Sequence, residues 1–338
     1  MIIVLKPNLS RKDEQAVLRE IRRLGYQPHV MRGVARTVIG AIGDERKNHT
    51  LETLTSMTQV ESVMPIQKRF KLVSREAHPA NSTIKVGKDI VIGGSKVQIM
   101  AGPCSVESEK QLLTTAHAVK AAGATILRGG AFKPRTSPYE FQGLGEKGLK
   151  LLAKARKETG LAVITELLSE QHVELVAEYA DILQIGARNA QNFQLLIAAA
   201  KTGKPVLLKR GLSMKIEEWL LAGEYVLANE NPNLMFCERG IRTFETYTRN
   251  TLDLTTVPII KKESHCPIVI DPSQGAGRAD LVASMCKGAV AMGADALLIE
   301  VHPNPAEALS DGAQQVTLDG FAKLVKELKP ILAAVGRE

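Results

Sequence analysis

Hydrophobic and polar positions follow one pattern up to about residue 70 and a different pattern beyond it. The first part predicts short strands and helices in the order βαββαβ, which is the order of a ferredoxin-like module. Its first helix is predicted to begin after Ser10, a good N-cap residue, and to end near Leu24. The strands are predicted at residues 2–5, 28–31, 37–42 and 61–65, and the second helix at 47–57.

From residue 97 onward, short apolar runs alternate with segments of helical period. Eight such strand–helix units over this length fit a (β/α)8 TIM barrel. A doubly wound open sheet is the competing architecture, but it normally has fewer strands. The strands are predicted at residues 97–101, 125–128, 162–166, 181–185, 205–209, 234–238, 267–271 and 296–301.

The sequence therefore predicts an α/β protein in which a small ferredoxin-like α+β domain precedes a barrel. The small domain is predicted at residues 1–70. A polar stretch at 71–82 is predicted to be a linker. The barrel domain, which begins with a small hairpin, is predicted at 83–338.

Charged or polar residues follow nearly every predicted barrel strand. A barrel brings all its strand ends to one rim, where barrel enzymes keep their chemistry. Each cation alone could pair with a local carboxylate. Several half-buried cations close together, however, repel one another unless anions are present. We therefore predict that this rim binds two anionic groups, or one substrate that carries both a phosphate and a carboxylate. The cations are Arg128, Lys133, Arg188, Lys209 and Arg239.

The loop at residues 128–145 is held out of regular structure by prolines and glycines. It places Arg128, Lys133 and Arg135 within eight residues at the end of a buried strand. A solvated basic turn is the simpler interpretation of the loop taken alone. With the other strand-end cations, the loop is typical of a phosphate or carboxylate site, and Arg135 and Ser137 are candidates for a second phosphate.

A second group of strand-end residues combines a thiol with carboxylates, a set that suits a divalent transition metal. Taken alone this pattern is weak. Cys104 follows a Gly-Pro turn and is open to a structural role, and Asp311 precedes a glycine, as turn residues often do. The group consists of Cys104, Glu300 and Asp311, with Gln274 and His302 as further candidates.

Composition narrows the classes of partner. The net charge of +8 permits anionic ligands, but Lys and Arg form no long block and aromatic residues make up only 4%, which argues against a nucleic-acid surface. Four scattered cysteines without a CxxC pair argue against a disulfide framework. The N-terminus lacks a signal-peptide pattern, and charges interrupt the most apolar window at 281–301. We expect a soluble cytoplasmic protein without a membrane or nucleic-acid partner.

Several segments resemble the 3-deoxy-D-arabino-heptulosonate 7-phosphate (DAHP) synthase family, and above all its type Iβ members, which carry an N-terminal ferredoxin-like, ACT-like domain. The resemblance covers essentially the whole chain. Its most specific part is Lys-Pro-Arg-Thr-Ser at 133–137, where the sister enzyme 3-deoxy-octulosonate 8-phosphate synthase has Lys-Ala-Asn-Arg-Ser-Ser. The segments are AGPCSVE at 101–107, LRGGAFKPRTSP at 127–138, QIGARN at 184–189, LKRG at 208–211, CERG at 237–240 and IEVHP at 299–303.

The resemblance implies that the protein condenses phosphoenolpyruvate with erythrose 4-phosphate, in the step that opens the shikimate pathway to aromatic amino acids. It implies a homotetramer whose N-terminal domain binds tyrosine or phenylalanine as feedback inhibitor. It also implies one divalent metal ion, such as Mn, Fe, Co or Zn, that polarises the aldehyde of the sugar.

The resemblance further implies the residue roles. Lys133 and Glu166 are the expected catalytic residues, with Lys133 near the reacting carbons and Glu166 positioning the attacking water. Phosphoenolpyruvate is expected on Arg128, Lys133, Arg188, Lys209 and Arg239. Erythrose 4-phosphate is expected on Arg135, Thr136 and Ser137. The metal is expected on Cys104, Glu300 and Asp311.

The chain departs from the family after the seventh barrel strand, where the family's Asp-Pro-Ser-His reads Asp271-Pro-Ser-Gln274. That histidine is a metal ligand in the family, and an amide oxygen binds soft divalent metals less well. Three outcomes are open: Gln274 coordinates the metal weakly, a water molecule coordinates it instead, or the metal site is lost. We expect a working synthase of reduced metal affinity. The alternatives are condensation with arabinose 5-phosphate and a non-catalytic homologue that binds anions.

Overall fold

A computed structural model describes residues 1–33, 36–43, 49–64 and 69–338, with the side chains of residues 49 and 50 left out. The chain forms two compact units, Met1–Arg69 and Phe70–Glu338. Among the described residues, no helix combines the length and apolar character needed to cross a bilayer.

The first unit is a four-stranded antiparallel sheet in the order β2-β3-β1-β4 with helices packed against it. This confirms the predicted ferredoxin-like fold, but the second helix is a 3-10 helix. Its threonine-rich sequence has low α-helical propensity. Residues 47, 48 and 65, which were included in predicted elements, lie outside the described residues. The elements are β1 (Ile2–Leu5), α1 (Arg11–Arg23), β2 (Gln27–Arg32), β3 (Thr37–Ile42), the 3-10 helix (His49–Ser56) and β4 (Val60–Met64).

The second unit is a closed eight-stranded parallel barrel, which confirms the predicted TIM barrel and excludes the open sheet. Most of its strands are buried along their whole length, because barrel strands have helices on one face and the barrel interior on the other. The strands are β7 (Gln98–Gly102), β8 (Ile126–Arg128), β9 (Ala162–Leu167), β10 (Ile182–Ile185), β11 (Val206–Lys209), β12 (Leu234–Glu238), β13 (Ile268–Ile270) and β14 (Ala296–Glu300).

Helices surround the barrel, and several begin at a side chain that caps the first turn. Ser108, for example, accepts a hydrogen bond from the backbone N–H of Gln111. The helices are α2 (Glu109–Ala122), α3 (Glu146–Thr159), α4 (Val173–Tyr179), α5 (Phe193–Lys201), α6 (Ile216–Leu227), α7 (Thr256–Glu263), α8 (Pro272–Ala276), α9 (Ala279–Ala291) and α10 (Leu318–Ala334).

A hairpin of β5 (Ile84–Val86) and β6 (Ile90–Ile92) closes the amino-terminal end of the barrel. Its buried side chains belong to the same apolar cluster as inward-facing residues near the strand starts, such as Ile126 and Ala296. This leaves the carboxyl end of the barrel as the open, polar end.

Residues 71–82, predicted to be a linker, lie in the second unit and pack on the barrel. Val73 is fully buried and Phe70 nearly so, and both belong to the core between barrel and helices. The backbone of Ser74 pairs with that of Ser264. The burial of Val73 and of the adjoining Phe70 anchors the start of this polar stretch on the barrel.

Candidate active site

A cavity of about 210 Å³ opens at the carboxyl end of the barrel. Its lining includes six cations but only three carboxylates, so the cavity favours anions. The lining residues that the sequence singles out are Lys133, Arg135, Thr136, Glu166, Arg188, Lys209, Arg239, Gln274 and Asp311.

Arg128 ends β8 and is only 5% exposed. One terminal nitrogen pairs with Glu300 Oε1 at 3.1 Å. Its Nε and other terminal nitrogen are buried without a hydrogen-bond partner, and no other buried side-chain nitrogen or oxygen of the described residues shares that state. Such donors are costly to leave unsatisfied. Arg128 lines a small cavity together with Lys133 and Glu166, so its guanidinium has N–H donors available to an incoming acceptor.

Lys133 reaches from the loop into the interior, where its Nζ lies 3.1 Å from both the carbonyl oxygen and the Sγ of Cys104. Gly130 makes room for it, because a Cβ there would lie 2.7 Å from Lys133 Cδ. Burial opposes the charged form, but Cys104, Glu300 and Glu166 outweigh it and raise the pKa of Lys133. The side chain is therefore an ammonium, which donates hydrogen bonds and protons.

Lys209 and Arg239 end or follow neighbouring strands and are both buried. Lys209 Nζ donates to Asp271 Oδ2 at 2.6 Å. Burial of Asp271 opposes ionisation, but Lys209 and Arg128 outweigh it and hold the pKa of that carboxyl below its ordinary value. Arg239 differs, since no carboxylate within the described parts of the chain forms an ion pair with it. Its partners are the Gly240 carbonyl and the Gln274 side chain.

Glu166 and Arg188 face the cavity from adjoining strand ends. Glu166 accepts a long hydrogen bond of 3.5 Å from Gln184 Nε2. Its carboxylate packs directly on Gly186, where a Cβ would lie only 1.9 Å from Oε1, so a larger residue at 186 would displace it. Arg188 lies in a short 3-10 helix after β10 and is exposed.

The predicted acceptor residues are only partly brought together. Arg135 and Thr136 line the cavity, and Arg135 Nε pairs with the exposed Glu140 at 3.0 Å. Exposed pairs are weak, so a phosphate can displace Glu140. Ser137 is not among the lining residues, and its hydroxyl accepts from the Tyr139 N–H at 3.3 Å.

Cys104, Glu300 and Asp311 form a possible metal site, with one ligand atom from each lying within 4.8 Å of the others. Burial and the charge of Glu300 raise the pKa of the Cys104 thiol to about 11. One sulfur and two carboxylates fit a divalent transition metal. His302 is not part of this group, because its Nε2 contacts Glu107 Oε2 at 3.2 Å.

Gln274 lies beside these ligands but turns its amide nitrogen towards them. Nε2 donates to Glu300 Oε1 at 3.1 Å and to Asp311 Oδ2 at 3.3 Å. Its oxygen, the atom a metal would need, accepts from Arg239 at 2.8 Å. The residues present therefore fit a metal through three ligand side chains, beside which Gln274 presents its amide N–H₂ group.

Arg249 is a site residue that the sequence analysis missed. It lines the cavity and pairs with Asp311 Oδ1 at 3.3 Å. It also donates to Gln314 Oε1 at 3.0 Å, and Gln314 in turn donates to Glu300 at 2.8 Å. Arg249 lies eleven residues beyond the end of β12 in a loop, where no strand-end rule points to it.

A TIM barrel with a cationic cavity beside a thiol–carboxylate group is typical of barrel enzymes that act on phosphorylated anions. Comparison with known families identifies which one. Residues 75–334 match the DAHP synthetase I family, and residues 1–68 match the DAHP synthase ferredoxin-like domain. The chain belongs to the DAHP synthetase I family.

Individual relatives agree with this assignment. The chain is 51% identical over 336 residues to the phospho-2-dehydro-3-deoxyheptonate aldolase of Thermotoga maritima, covering 99% of both proteins. A crystal structure of that DAHP synthase superposes with a TM-score of 0.94 at 50% identity, covering 100% of this chain and 98% of that one. A 2-dehydro-3-deoxyphosphooctonate aldolase of Caulobacter vibrioides is more distant, at 34% identity over 74% of this chain and 91% of its own.

Proposed function

We propose that the protein condenses phosphoenolpyruvate with erythrose 4-phosphate to give DAHP and inorganic phosphate. The observation that carries the proposal is the convergence of six cations on one cavity at the open end of the barrel. The full-length similarity to a DAHP synthase supports the same reaction. It favours erythrose 4-phosphate over arabinose 5-phosphate as acceptor, because the octulosonate relatives are more distant.

Phosphoenolpyruvate carries a phosphate and a carboxylate, and the buried cations suit both. Among the described residues, Arg128 has N–H groups without an acceptor and Arg239 forms no ion pair with a carboxylate, so both can bind an anion. Lys209 donates to Asp271, and Arg188 lies at the exposed edge of the cavity. The acceptor's phosphate is assigned to Arg135 and Thr136, which line the cavity, and to Ser137, which follows them in the same loop.

The reaction forms a bond between C3 of phosphoenolpyruvate and the aldehyde carbon of the sugar. Water adds at C2, and the bond from C2 to the bridging phosphate oxygen breaks. Lys133 is an ammonium inside the site and supplies a proton as the aldehyde oxygen becomes a hydroxyl. Glu166, against Gly186 on the cavity wall, orients the water and accepts its proton.

A divalent metal would be held by Cys104, Glu300 and Asp311. When bound, it supplies Lewis-acid polarisation of the aldehyde oxygen. Mn, Fe, Co and Zn all suit a set of one thiolate and two carboxylates.

Phosphate release from phosphoenolpyruvate tests the reaction. Purified protein is incubated with erythrose 4-phosphate, with arabinose 5-phosphate or with no sugar, each with and without added Mn²⁺. We expect release that depends on erythrose 4-phosphate. Release with arabinose 5-phosphate alone would establish the octulosonate reaction instead. Binding of phosphoenolpyruvate without release with either sugar would mean a non-catalytic homologue.

We also propose that the N-terminal unit makes the enzyme subject to feedback by tyrosine or phenylalanine within a homotetramer. The match of residues 1–68 to the family's ferredoxin-like domain supports a regulatory unit. A truncated form of the Thermotoga maritima synthase also has a crystal structure, which covers 80% of this chain at a TM-score of 0.75. Protein that begins at Phe70 should keep its activity and lose its inhibition by both amino acids. Inhibition that persists would refute this role.

A further inference from the structure

Gln274 connects the anion-binding cations to the metal ligands through a single amide group. Its oxygen accepts from Arg239 at 2.8 Å. Its nitrogen donates to Glu300 and Asp311 at 3.1 and 3.3 Å. The two ends of one side chain thus contact the two kinds of site.

The chemistry of the neighbours dictates this orientation. The Arg239 guanidinium only donates hydrogen bonds, so it requires the amide oxygen. The carboxylates of Glu300 and Asp311, when ionised, only accept, so they require the amide nitrogen. Rotating the amide by half a turn would set two donors against each other and place the oxygen against two negative charges. The reversed amide is favourable only with a cation among the carboxylates and another acceptor at Arg239.

The backbone of Gln274 is fixed, which confines any change to the side chain. Its N–H donates to Asp271 Oδ1 at 2.8 Å, and its carbonyl accepts from Asn250 Nδ2 at 2.9 Å. Asp271 also holds Lys209. A rotation of the terminal amide therefore needs no movement of the cations that surround it.

We propose that Gln274 couples anion binding at Arg239 to metal binding at Cys104, Glu300 and Asp311. Without an anion, the amide nitrogen satisfies both carboxylates and competes with the metal. An anion on Arg239 would replace the amide oxygen as acceptor, and the freed amide would then turn its oxygen, an atom that can bind a metal, towards Cys104, Glu300 and Asp311. Each ligand therefore raises the affinity for the other, and by linkage the two effects are equal. This inference rests on the proposed function only in taking phosphoenolpyruvate as the anion.

Co²⁺ binding to the metal-free, full-length protein tests the coupling without turnover. Titrations are followed by calorimetry and by the cobalt–thiolate absorption of Cys104, with and without phosphoenolpyruvate and with no sugar present. In the wild type, phosphoenolpyruvate should lower the Kd for Co²⁺ by about fivefold or more, the usual lower range of coupling between sites. No change in Kd would overturn the proposal.

Direct attraction between bound anion and metal also contributes, so the decisive quantity is the difference between variants. Gln274→Met removes both amide groups and should reduce the effect of phosphoenolpyruvate on the Kd to about twofold or less, below the usual coupling range. Gln274→His supplies a ligand that needs no reorientation and should also fall below the wild type. An undiminished effect in either folded variant would overturn the proposal.

Gln314→Met is the matched control. Gln314 also bridges an arginine and Glu300, donating to Glu300 Oε2 at 2.8 Å and accepting from Arg249 at 3.0 Å. It does not contact Arg239, so its variant should keep the wild-type coupling. Loss of coupling in this variant would mean that any change beside Glu300 abolishes the effect, against the proposal.

The outcomes separate this inference from the proposed function. Phosphate release with erythrose 4-phosphate but no coupling would remove the inference alone. Coupling without phosphate release with either sugar would keep the inference and remove the synthase reaction.

Discussion

Replacing Lys209 by methionine should destabilise the barrel by leaving a buried carboxylate without its main partner. Lys209 and Asp271 are 6% and 0% exposed in their side chains and lie 2.6 Å apart. Removing one member of a buried pair costs about 3–5 kcal/mol. Arg128 and the Gln274 N–H also stabilise the charge of Asp271, so we expect about 3 kcal/mol for Lys209→Met, the lower end of that range.

The stability lost in Lys209→Met should depend on pH in a definite direction. In the wild type the folded pKa of Asp271 lies below its ordinary value. Its ionisation therefore stabilises the protein above the unfolded pKa of about 3.9, and this stability is lost as pH falls through the lowered folded pKa. In Lys209→Met, fewer positive charges oppose the effect of burial on the Asp271 carboxyl, so its pKa rises. The stability difference between the two proteins should be full at neutral pH and narrow as pH falls and Asp271 takes up a proton.

Urea unfolding measured across this pH range, with the double variant Lys209→Met/Asp271→Asn beside it, is the assay. The double variant removes the buried charge and should recover part of the lost free energy of unfolding at neutral pH. A double variant less stable than the single, or a stability difference that does not depend on pH, would refute the electrostatic reasoning.

Three substitutions test the assigned roles by steady-state kinetics. Arg128→Met should raise the KM for phosphoenolpyruvate by roughly 10- to 100-fold, the value of one or two charge-assisted hydrogen bonds; an unchanged KM would leave its buried N–H groups unexplained. Glu166→Gln should lower kcat by about 10²–10⁴-fold with a much smaller change in KM, as expected for loss of a general base, and a change in KM alone would make it a binding residue. Arg135→Ala should raise the KM for erythrose 4-phosphate by roughly tenfold, the value of one charge-assisted contact, and leave the KM for phosphoenolpyruvate unchanged. The control for general charge is Lys150→Ala, which removes an exposed lysine that pairs with Glu146 on α3.

The fold was predictable because its strands obey a simple rule. A strand buried on both faces appears in the sequence as a short apolar run. Eight such runs that alternate with helices are compatible with few folds, and the closed barrel is one of them. The linker was harder to predict, because a few apolar residues at the start of a polar stretch give no sign of the surface that Phe70 and Val73 pack against. Their burial follows from the barrel surface they meet, which is far away in sequence.

The site was predictable where topology alone places a residue. Arg128, Lys209 and Glu300 end their strands, so barrel closure brings them together whatever their rotamers. Arg249 and Ser137 lie inside loops whose paths depend on tertiary contacts, so no strand-end rule points to Arg249, and Ser137 does not line the cavity. Strand ends are therefore predicted better than loops.

Gln274 shows why residue identity alone underdetermines a metal site. From the sequence, an amide in place of an imidazole predicts a weaker ligand, and nothing more. In the structure the amide nitrogen donates to the carboxylates of Glu300 and Asp311, and the amide oxygen accepts from Arg239 on the other side. Reduced affinity then has two separable parts, the intrinsic weakness of an amide ligand and the free energy of turning it. An anion at Arg239 removes only the free-energy cost of turning the amide. A Kd measured on the protein without phosphoenolpyruvate would therefore understate the metal affinity of the enzyme at work.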